Sequence, residues 1–324
     1  MPRFNIHHIT KYLYEAPVRD STNQIMLYPL KDEFQEVLKH ELSISAEPNI
    51  NEYNDYYGNE VGCFMHTNPH RELVIDSRLE VITKNRSLPA DDRPCNEQWE
   101  ELEKLTWQVP FIDFLREPPF QGSEEIAEMI RHLKSRSFTP LVATGKLNQY
   151  VFENFSYIQG ITTVETTIEE ILKLKAGVCQ DFAHLLSAML RQINIPARYV
   201  SGYVCPNKNG MRGEGATHAW VEAYLPFYGW LGFDPTNNCV ATDMYVRLAV
   251  GRNFNDCTPV KGTYKGTSNQ TLEVGVTVSY QDSAFSKDRP VMMKQQPEPT
   301  PINNSYRRFV EKQKLLQQQQ QQQQ

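Results

Sequence analysis

A cysteine, a histidine and an aspartate occur in three segments whose combined chemistry is that of a nucleophilic acyl-transfer enzyme. Cys179 opens a segment with helical periodicity. His218 and Asp234 follow in two successive segments with strand-like alternation. A thiol is mostly protonated near neutral pH, so it needs an adjacent base, and that base needs a carboxylate to orient it. The three side chains therefore predict a cysteine-dependent acyl-transfer enzyme.

The segment that begins at Cys179 is predicted to be an amphipathic helix. Cys179 falls within the apolar arc of the helical wheel, so we expect the thiol to face the body of the domain. Unpaired N–H groups and the positive end of the dipole in the first turn favour a thiolate, and the Cys179 N–H could hold an oxyanion. His184 lies opposite the arc, which predicts a surface or interdomain position. The arc consists of Phe182, Leu185, Leu186, Met189, Leu190 and Ile193.

A β-hairpin is predicted to bring His218 and Asp234 together. Its strands are residues 218–225 and 230–234, joined by a turn at 226–229. Facing residues of an antiparallel pair point to the same side of the sheet, so the two side chains can meet only if paired residue numbers have an even sum. We predict the register in which Asp234 lies opposite Trp220 and diagonal to His218. This register requires an odd loop or a bulge at the turn.

The order of periodic segments predicts an α+β fold. Residues 1 to about 85 alternate with a period of two and are interrupted by prolines and turn-forming Asn, Asp and Gly runs. The period becomes helical from Ser123 and returns to strands after Ile193, ending with a late strand at 272–278. Helices followed by strands are typical of a domain in which helices pack on an antiparallel sheet.

Three regions are predicted along the chain. Residues 1–90 form an N-terminal antiparallel β-sandwich-like domain, and residues 91–281 form the catalytic domain. A polar, proline-bearing stretch at 87–94 marks the boundary between them. The tail at 282–324 contains several prolines and ends in a glutamine run, so it is predicted to be disordered.

Composition excludes several classes of function. The net charge of −6 and the absence of a basic cluster argue against a nucleic-acid or anionic-membrane partner. The N-terminus has no signal-peptide pattern and no run of 18 uncharged apolar residues occurs, which predicts a soluble cytoplasmic protein. The six cysteines form no C-x-x-C pair, and His66 and His70 lack a second ligand pattern. We therefore expect neither a metal nor another cofactor.

Four segments in this order resemble the transglutaminase-like superfamily, and specifically its bacterial branch. The N-terminal region resembles the β region that accompanies this branch, through Tyr14, Pro17, Val18 and the run Tyr-Gly-Asn at 57–59. The resemblance covers most of residues 1–280. The four segments are GVCQDFAH at 177–184, IPARYVSGY at 195–203, HAWVE at 218–222 and GWLGFDPTN at 229–237.

The resemblance implies a papain-like α+β core with assigned catalytic roles. Cys179 is the implied nucleophile, His218 the general base and then acid, and Asp234 the residue that orients the imidazole. Larger animal transglutaminases place an oxyanion-stabilising tryptophan ahead of the nucleophile, but no tryptophan lies between Trp107 and Cys179 here. Tyr157 is the candidate side-chain donor in its place, beside the backbone N–H of Cys179. Calcium dependence is not implied, because no acidic ligand cluster is present.

Three functions remain open at this point. Hydrolysis of a peptide or amide substrate, as in a cysteine protease, is favoured over transfer of the acyl group to an amine, as in a protein-glutamine transglutaminase. Deglycosylation is disfavoured because the cysteine pairs for its structural zinc are missing. The alternative of another class is a non-catalytic peptide-binding module with a vestigial triad, although all three triad positions hold a competent residue type.

Overall fold

A computed structural model describes the chain as two compact units. The core unit comprises residues 1–4, 29–37 and 81–257, and the β unit comprises residues 5–28, 38–80 and those from Thr258 onward. Most of the predicted disordered tail lies outside the described residues. The described residues are 1–117, 123–131, 133, 137–205, 211–212, 216–280 and 290–294.

Strands account for most of the β unit and for the central sheet of the core unit. In chain order they are β1 (Arg3–Ile25), β2 (Gln35–Ile44), β3 (Asn51–Asn54), β4 (Glu60–His66), β5 (His70–Thr83), β6 (Ser156–Tyr157), β7 (Ala176–Gly177), β8 (Ala197–Val204), β9 (Thr217–Leu225), β10 (Gly229–Asp234), β11 (Cys239–Val240), β12 (Tyr245–Gly251), β13 (Val260–Lys265), β14 (Gln270–Tyr280) and β15 (Met293–Lys294).

The helices belong to the core unit. None of those in the described ranges has the length and apolar character needed to cross a bilayer. They are α1 (Cys95–Leu105), α2 (Phe111–Leu115), α3 (Ser123–Arg131), α4 (Pro140–Asn154), α5 (Ile168–Leu174) and α6 (Cys179–Gln192), with a 3-10 turn at Phe254–Asp256.

The predicted α+β fold with an N-terminal antiparallel β region is confirmed. In the β unit, eight of the described strands form one sheet in which the long strand β1 pairs with β4, β5, β13 and β14. The pairs of β1 with β4 and with β13 are antiparallel, and the register shifts between Arg19 and Thr22 in the latter. Alternate side chains of β1, including Phe4, Ile6, His8 and Thr10, are buried, as the period of two predicts.

The structure divides the chain differently from the predicted boundaries. The late alternating strand, placed by its position in the catalytic domain, lies in β14 and pairs with β1 in the β unit. Residues 293 and 294 of the predicted disordered tail form β15, which pairs with β14. The first difference arises because β1 is 23 residues long and offers ladder hydrogen bonds that a strand distant in sequence can use. The second follows from it, because β14 then offers its other edge to β15.

The core unit consists of a five-stranded sheet with α6 packed against it. The sheet order is β11-β10-β9-β8-β12, and its registered pairs are all antiparallel. α6 contacts β9 and β8, while α4 and α5 flank α6. Side chains of the predicted apolar arc are fully buried, among them Phe182, Leu186 and Met189. This packing holds the N-terminus of α6 beside the sheet.

His184 corrects one expectation from the helical wheel. Its Nε2 accepts the backbone N–H of Phe254 at 3.1 Å, and its ring lies 5.1 Å from that of Tyr199. Burial, together with the charge of Arg191, lowers the pKa of His184 to about 4. The wheel predicted a surface or interdomain group because it could not show that the 3-10 turn covers this side of α6.

The predicted hairpin register is confirmed. Gly229 pairs with Leu225, Trp230 with Tyr224 and Phe233 with Val221, so the paired numbers have the predicted even sum. Three residues separate the paired ends, and Phe227 and Gly229 adopt positive φ values of 63° and 102°. Because the loop has an odd number of residues, Asp234 lies on the same face of the sheet as His218.

Candidate active site

Cys179 is the first residue of α6, where a close contact fixes the start of the helix. Asp181 accepts the N–H of Val178 at 2.7 Å through Oδ2, the same oxygen that accepts the Thr162 hydroxyl at 2.6 Å. A Cβ at Gly177 would lie 2.7 Å from this oxygen, so a larger residue there would have to displace Asp181. The Cys179 thiol is half-buried. It therefore lies at the edge of the buried arc, within reach of solvent.

His218 is buried near the start of β9. Its Nε2 lies 2.8 Å from Oδ2 of Asp234, and both side chains are 0% exposed. The indole of Trp220 stacks on the imidazole with ring centroids 6.2 Å apart and an interplanar angle of 23°. Because Nε2 is hydrogen-bonded to Asp234, Nδ1 is the ring nitrogen that can exchange a proton with the Cys179 thiol.

The electrostatic environment of His218 favours the charged imidazolium. Burial alone lowers its pKa, but the neighbouring Asp234 and Cys179 side chains outweigh burial and raise the pKa to about 10. Within the described residues, Nδ1 of His218 is buried and has no hydrogen-bond partner. The structure thus brings together the three side chains that the sequence singled out.

Five hydrogen bonds hold the Asp234 carboxylate. Oδ2 accepts the His218 ring, the side-chain amide of Asn237 at 2.7 Å and the hydroxyl of Tyr245 at 2.7 Å. Oδ1 accepts the backbone N–H groups of Thr236 at 2.8 Å and Asn237 at 3.3 Å. Burial opposes the charged form, but the imidazole and these donors together lower the pKa of Asp234. The group is therefore ionised and fixed in orientation.

Tyr245 and Cys239 are site residues that the sequence did not indicate. The Tyr245 hydroxyl donates to Asp234 and also lies 3.2 Å from Sγ of Cys239. Tyr245 is the first residue of β12, and Cys239 is the first residue of β11. No motif or spacing marks either residue, because both reach the site through strand pairing alone.

Tyr157 lies at the site, where the sequence placed it as a candidate donor. β6 pairs in parallel with β7, so Tyr157 stands opposite Gly177, two residues before the cysteine. Burial and then the charge of Cys179 raise the pKa of Tyr157. The phenol therefore stays protonated and able to donate near the thiol, as the N–H of Cys179 can at the helix terminus.

The arrangement has the parts needed for acyl transfer by a thiol. It comprises a half-buried sulfur at a helix N-terminus and an imidazole aligned by a fixed carboxylate. Within the ranges that the structure describes, no group of three or more His, Cys, Asp or Glu side chains is arranged to hold a metal ion.

Two family profiles match the chain. The transglutaminase-like superfamily matches residues 128–235, and the bacterial transglutaminase-like N-terminal region matches residues 4–82. An uncharacterized protein of Mycobacterium leprae is 32% identical over 282 residues, which cover 86% of this chain and 99% of that protein. A protein-glutamine gamma-glutamyltransferase of Pseudomonas aeruginosa is 28% identical over 126 residues, which cover 36% of this chain and 19% of that protein.

A solved structure shares the fold. The crystal structure of a protein from Cytophaga hutchinsonii, described as a "Putative Cysteine Protease", matches with a TM-score of 0.70 and 23% identity. The match covers 90% of this chain and 96% of the other. The chain belongs to the transglutaminase-like superfamily, in the bacterial branch that carries its own N-terminal β region.

Proposed function

We propose that the protein is a cysteine hydrolase that cleaves a peptide or amide bond through Cys179, His218 and Asp234. The observation that carries the proposal is the buried imidazole of His218, which is bonded to Asp234 through Nε2 at 2.8 Å and interacts with Cys179 on its other side. A histidine held in this way can accept the thiol proton and later return it to a leaving amine.

The proposed reaction has two halves. In the first, the proton of the Cys179 thiol has passed to Nδ1 of His218, which gives the thiolate and imidazolium pair that the raised pKa of His218 favours, and Sγ of the thiolate attacks the substrate carbonyl carbon. The C–N bond then breaks, the amine leaves with the proton from the imidazolium, and a thioester remains on Cys179. In the second half, His218 takes a proton from water, the resulting hydroxide attacks the thioester, and the C–S bond breaks to release a carboxylic acid.

Two groups are proposed to stabilise the oxyanion of each tetrahedral intermediate. The backbone N–H of Cys179 lies in the first turn of α6, where N–H groups have no intrahelical acceptor. Burial and then the charge of Cys179 raise the pKa of the Tyr157 phenol, so it stays protonated and can donate a second hydrogen bond. Loss of one such donor typically costs about 10²–10³ in kcat.

Alkylation tests whether Cys179 is an activated nucleophile. We expect iodoacetamide at neutral pH to modify Cys179 before the other five thiols, as measured by peptide mass spectrometry. His218→Ala should remove this selectivity, because the thiol loses its base. The half-buried Cys63 and Cys95 are internal references for exposure without activation. Equal reaction of all half-buried thiols in the wild-type protein would favour a peptide-binding module and overturn the proposal.

Amine transfer is a second candidate function, favoured by the similarity to the gamma-glutamyltransferase of Pseudomonas aeruginosa. Both reactions use the same thioester and differ in whether water or an amine attacks it. Incubation of a glutamine-peptide library with and without a primary amine separates them by mass. Free acids in both samples support hydrolysis, whereas amine adducts would replace hydrolysis with transfer.

A further inference from the structure

Arg212 is tied to the candidate active site through Asn237. The Asn237 side chain accepts the backbone N–H of Arg212 at 2.8 Å and donates to its carbonyl oxygen at 3.1 Å. The same amide group donates to Oδ2 of Asp234 at 2.7 Å. One asparagine thus holds both the triad carboxylate and the backbone of Arg212, so the distance between these two groups is fixed.

The guanidinium of Arg212 lies over two aromatic rings, one of which is that of Tyr157. Its Cζ is 5.1 Å from the centroid of the Phe152 ring and 5.8 Å from that of the Tyr157 ring. Tyr157 in turn neighbours Cys179, since β6 pairs with β7 immediately before α6. Cation–π contacts with the two rings therefore hold the Arg212 guanidinium next to Tyr157, on the side of the site from which Tyr157 faces Cys179.

No carboxylate of the described ranges neutralises this cation. Elsewhere in the core unit, Arg191, Arg198 and Arg247 each form an ion pair with a carboxylate. Arg212 is exposed and belongs to no ion pair within the part of the chain that the structure describes. An arginine that is oriented, exposed and without an anionic partner is suited to bind an anion from solution.

We propose that Arg212 binds a carboxylate of the substrate next to the scissile amide, which selects acidic peptides. The inference rests on the proposed function of Cys179 and adds the chemical class of its substrate. A carboxylate matches the planar guanidinium with two parallel hydrogen bonds, whereas a neutral amide does not. The substrate carboxylate is either an acidic side chain or a free chain terminus adjacent to the bond that is cleaved.

Paired alkylating reagents test the position of this charge without a known substrate. Iodoacetate is an anion and iodoacetamide is its neutral analogue, so the ratio of their rates at Cys179 reports the local positive charge. Arg212→Gln should lower the iodoacetate to iodoacetamide ratio by roughly threefold to tenfold at low salt, because one unit charge is lost near the sulfur. Added salt should shrink the difference. Arg212→Lys should keep most of the ratio.

Arg78→Gln is the matched control, since Arg78 is an exposed arginine of the β unit. Its ratio should equal that of the wild-type protein. An unchanged ratio in Arg212→Gln, with Cys179 still reactive, would overturn the role of Arg212 and leave the proposed hydrolase intact. A Cys179 that reacts selectively with neither reagent would overturn both proposals.

Peptide pairs extend the test to the substrate itself. Two peptides that differ only in Glu or Gln beside the scissile amide are compared by kcat/KM. The wild-type protein should prefer the Glu peptide, and Arg212→Gln should lose the preference by slowing cleavage of that peptide alone. A second pair of peptides, with a free or an amidated C-terminus beside the scissile amide, tests the terminal carboxylate in the same way. Equal cleavage within both pairs by the wild-type protein would show that no carboxylate is selected.

Discussion

The carboxylate of Asp234 illustrates how a buried charge is made tolerable at this site. It accepts donors from His218, Asn237 and Tyr245 and from two backbone N–H groups. A fully buried carboxylate without such donors would protonate instead of remaining charged. The same donors fix its orientation and, through it, the orientation of the imidazole. Asp234 is therefore the counter-ion of His218 and also holds its imidazole in one orientation.

Tyr245→Phe tests the support that the phenol gives to Asp234. Tyr245 is a positioning residue, because its hydroxyl donates to Asp234 and has no hydrogen bond to Cys179. Loss of a donor to the charged carboxylate raises the pKa of Asp234. The rate of Cys179 alkylation falls as the pH is lowered, and in this variant that fall should begin at a higher pH. The rate at neutral pH should fall about threefold to tenfold. Tyr56→Phe, at an exposed phenol, should leave the pH profile unchanged; an identical profile in Tyr245→Phe would contradict the assigned role.

Stability should fall as pH rises, because the pKa of His218 is raised to about 10 in the folded protein. Between a pH of about 6.5, the usual pKa of an unfolded histidine, and this value, the folded state holds a proton that the unfolded state has lost. The free energy of unfolding should therefore fall by up to about 1.4 kcal/mol for each unit by which the pH rises. Asp234→Asn removes the counter-ion and should flatten this slope in urea unfolding from pH 7 to 9. Asp20→Asn, in an exposed pair, should keep the wild-type slope. Parallel slopes for all three proteins would show that His218 is not charged when folded.

At the level of secondary structure, the start of α6 determines where the thiol lies. β7 runs directly into the helix, and Val178 is the extended residue that caps it. Asp181 closes the first turn by accepting the Val178 N–H, in close contact with Gly177. The helix then buries its apolar arc against β8 and β9. The position of Cys179 is thus set by one glycine, one aspartate and the packing of the helix behind them.

Gly177→Ala should displace the start of α6. The added methyl group would approach Asp181 Oδ2 to 2.7 Å, so we expect a loss of about 1–3 kcal/mol in unfolding free energy and slower alkylation of Cys179. Gly145→Ala is the matched control, because an added Cβ there meets nothing within 4 Å. It lies inside α4 and should gain about 0.5–1 kcal/mol. If the two variants proved equally stable in urea unfolding, the close contact at Gly177 would not restrict the helix.

Across the core unit, a charged cluster joins segments that are far apart in the chain. Glu222 of β9 pairs with Arg198 of β8 at 2.7 Å and with Arg247 of β12 at 3.5 Å. Arg247 also pairs with Asp32, and its backbone N–H donates to Gln35 at 2.8 Å. Burial opposes ionisation of Glu222, but the arginines outweigh it and lower the pKa of the carboxyl. The cluster attaches residues 29–37 to the central sheet.

Glu222→Ala should destabilise the core unit strongly. Arg198 and Arg247 would lose a shared buried partner, and breaking such a pair typically costs about 3–5 kcal/mol. Lys39→Ala is the control, because its pair with Glu41 is exposed to solvent and should contribute little to stability. Urea unfolding measures both. A loss of the same size in the two variants would mean that burial adds nothing to the strength of the cluster.

The site could be predicted where local periodicity carried the information. The wheel of α6 and the alternation of β9 and β10 follow from neighbouring residues, so Cys179, His218, Asp234 and the hairpin register were accessible. Tyr245, Cys239 and Arg212 were not, because they reach the site through pairings between distant segments. The position of β14 was missed for the same reason, since an alternating pattern does not specify its partner strand.

The identities of the candidate reacting groups, the α+β fold and the face on which His218 lies are all encoded in short stretches of chain, because side-chain chemistry and backbone period are local properties. The hydrogen-bond donors of Asp234, the covering of His184, the place of Arg212 and the division into units depend on which remote segments meet. Such contacts form only when the whole core is packed, since burial and strand pairing join residues without regard to their separation in sequence.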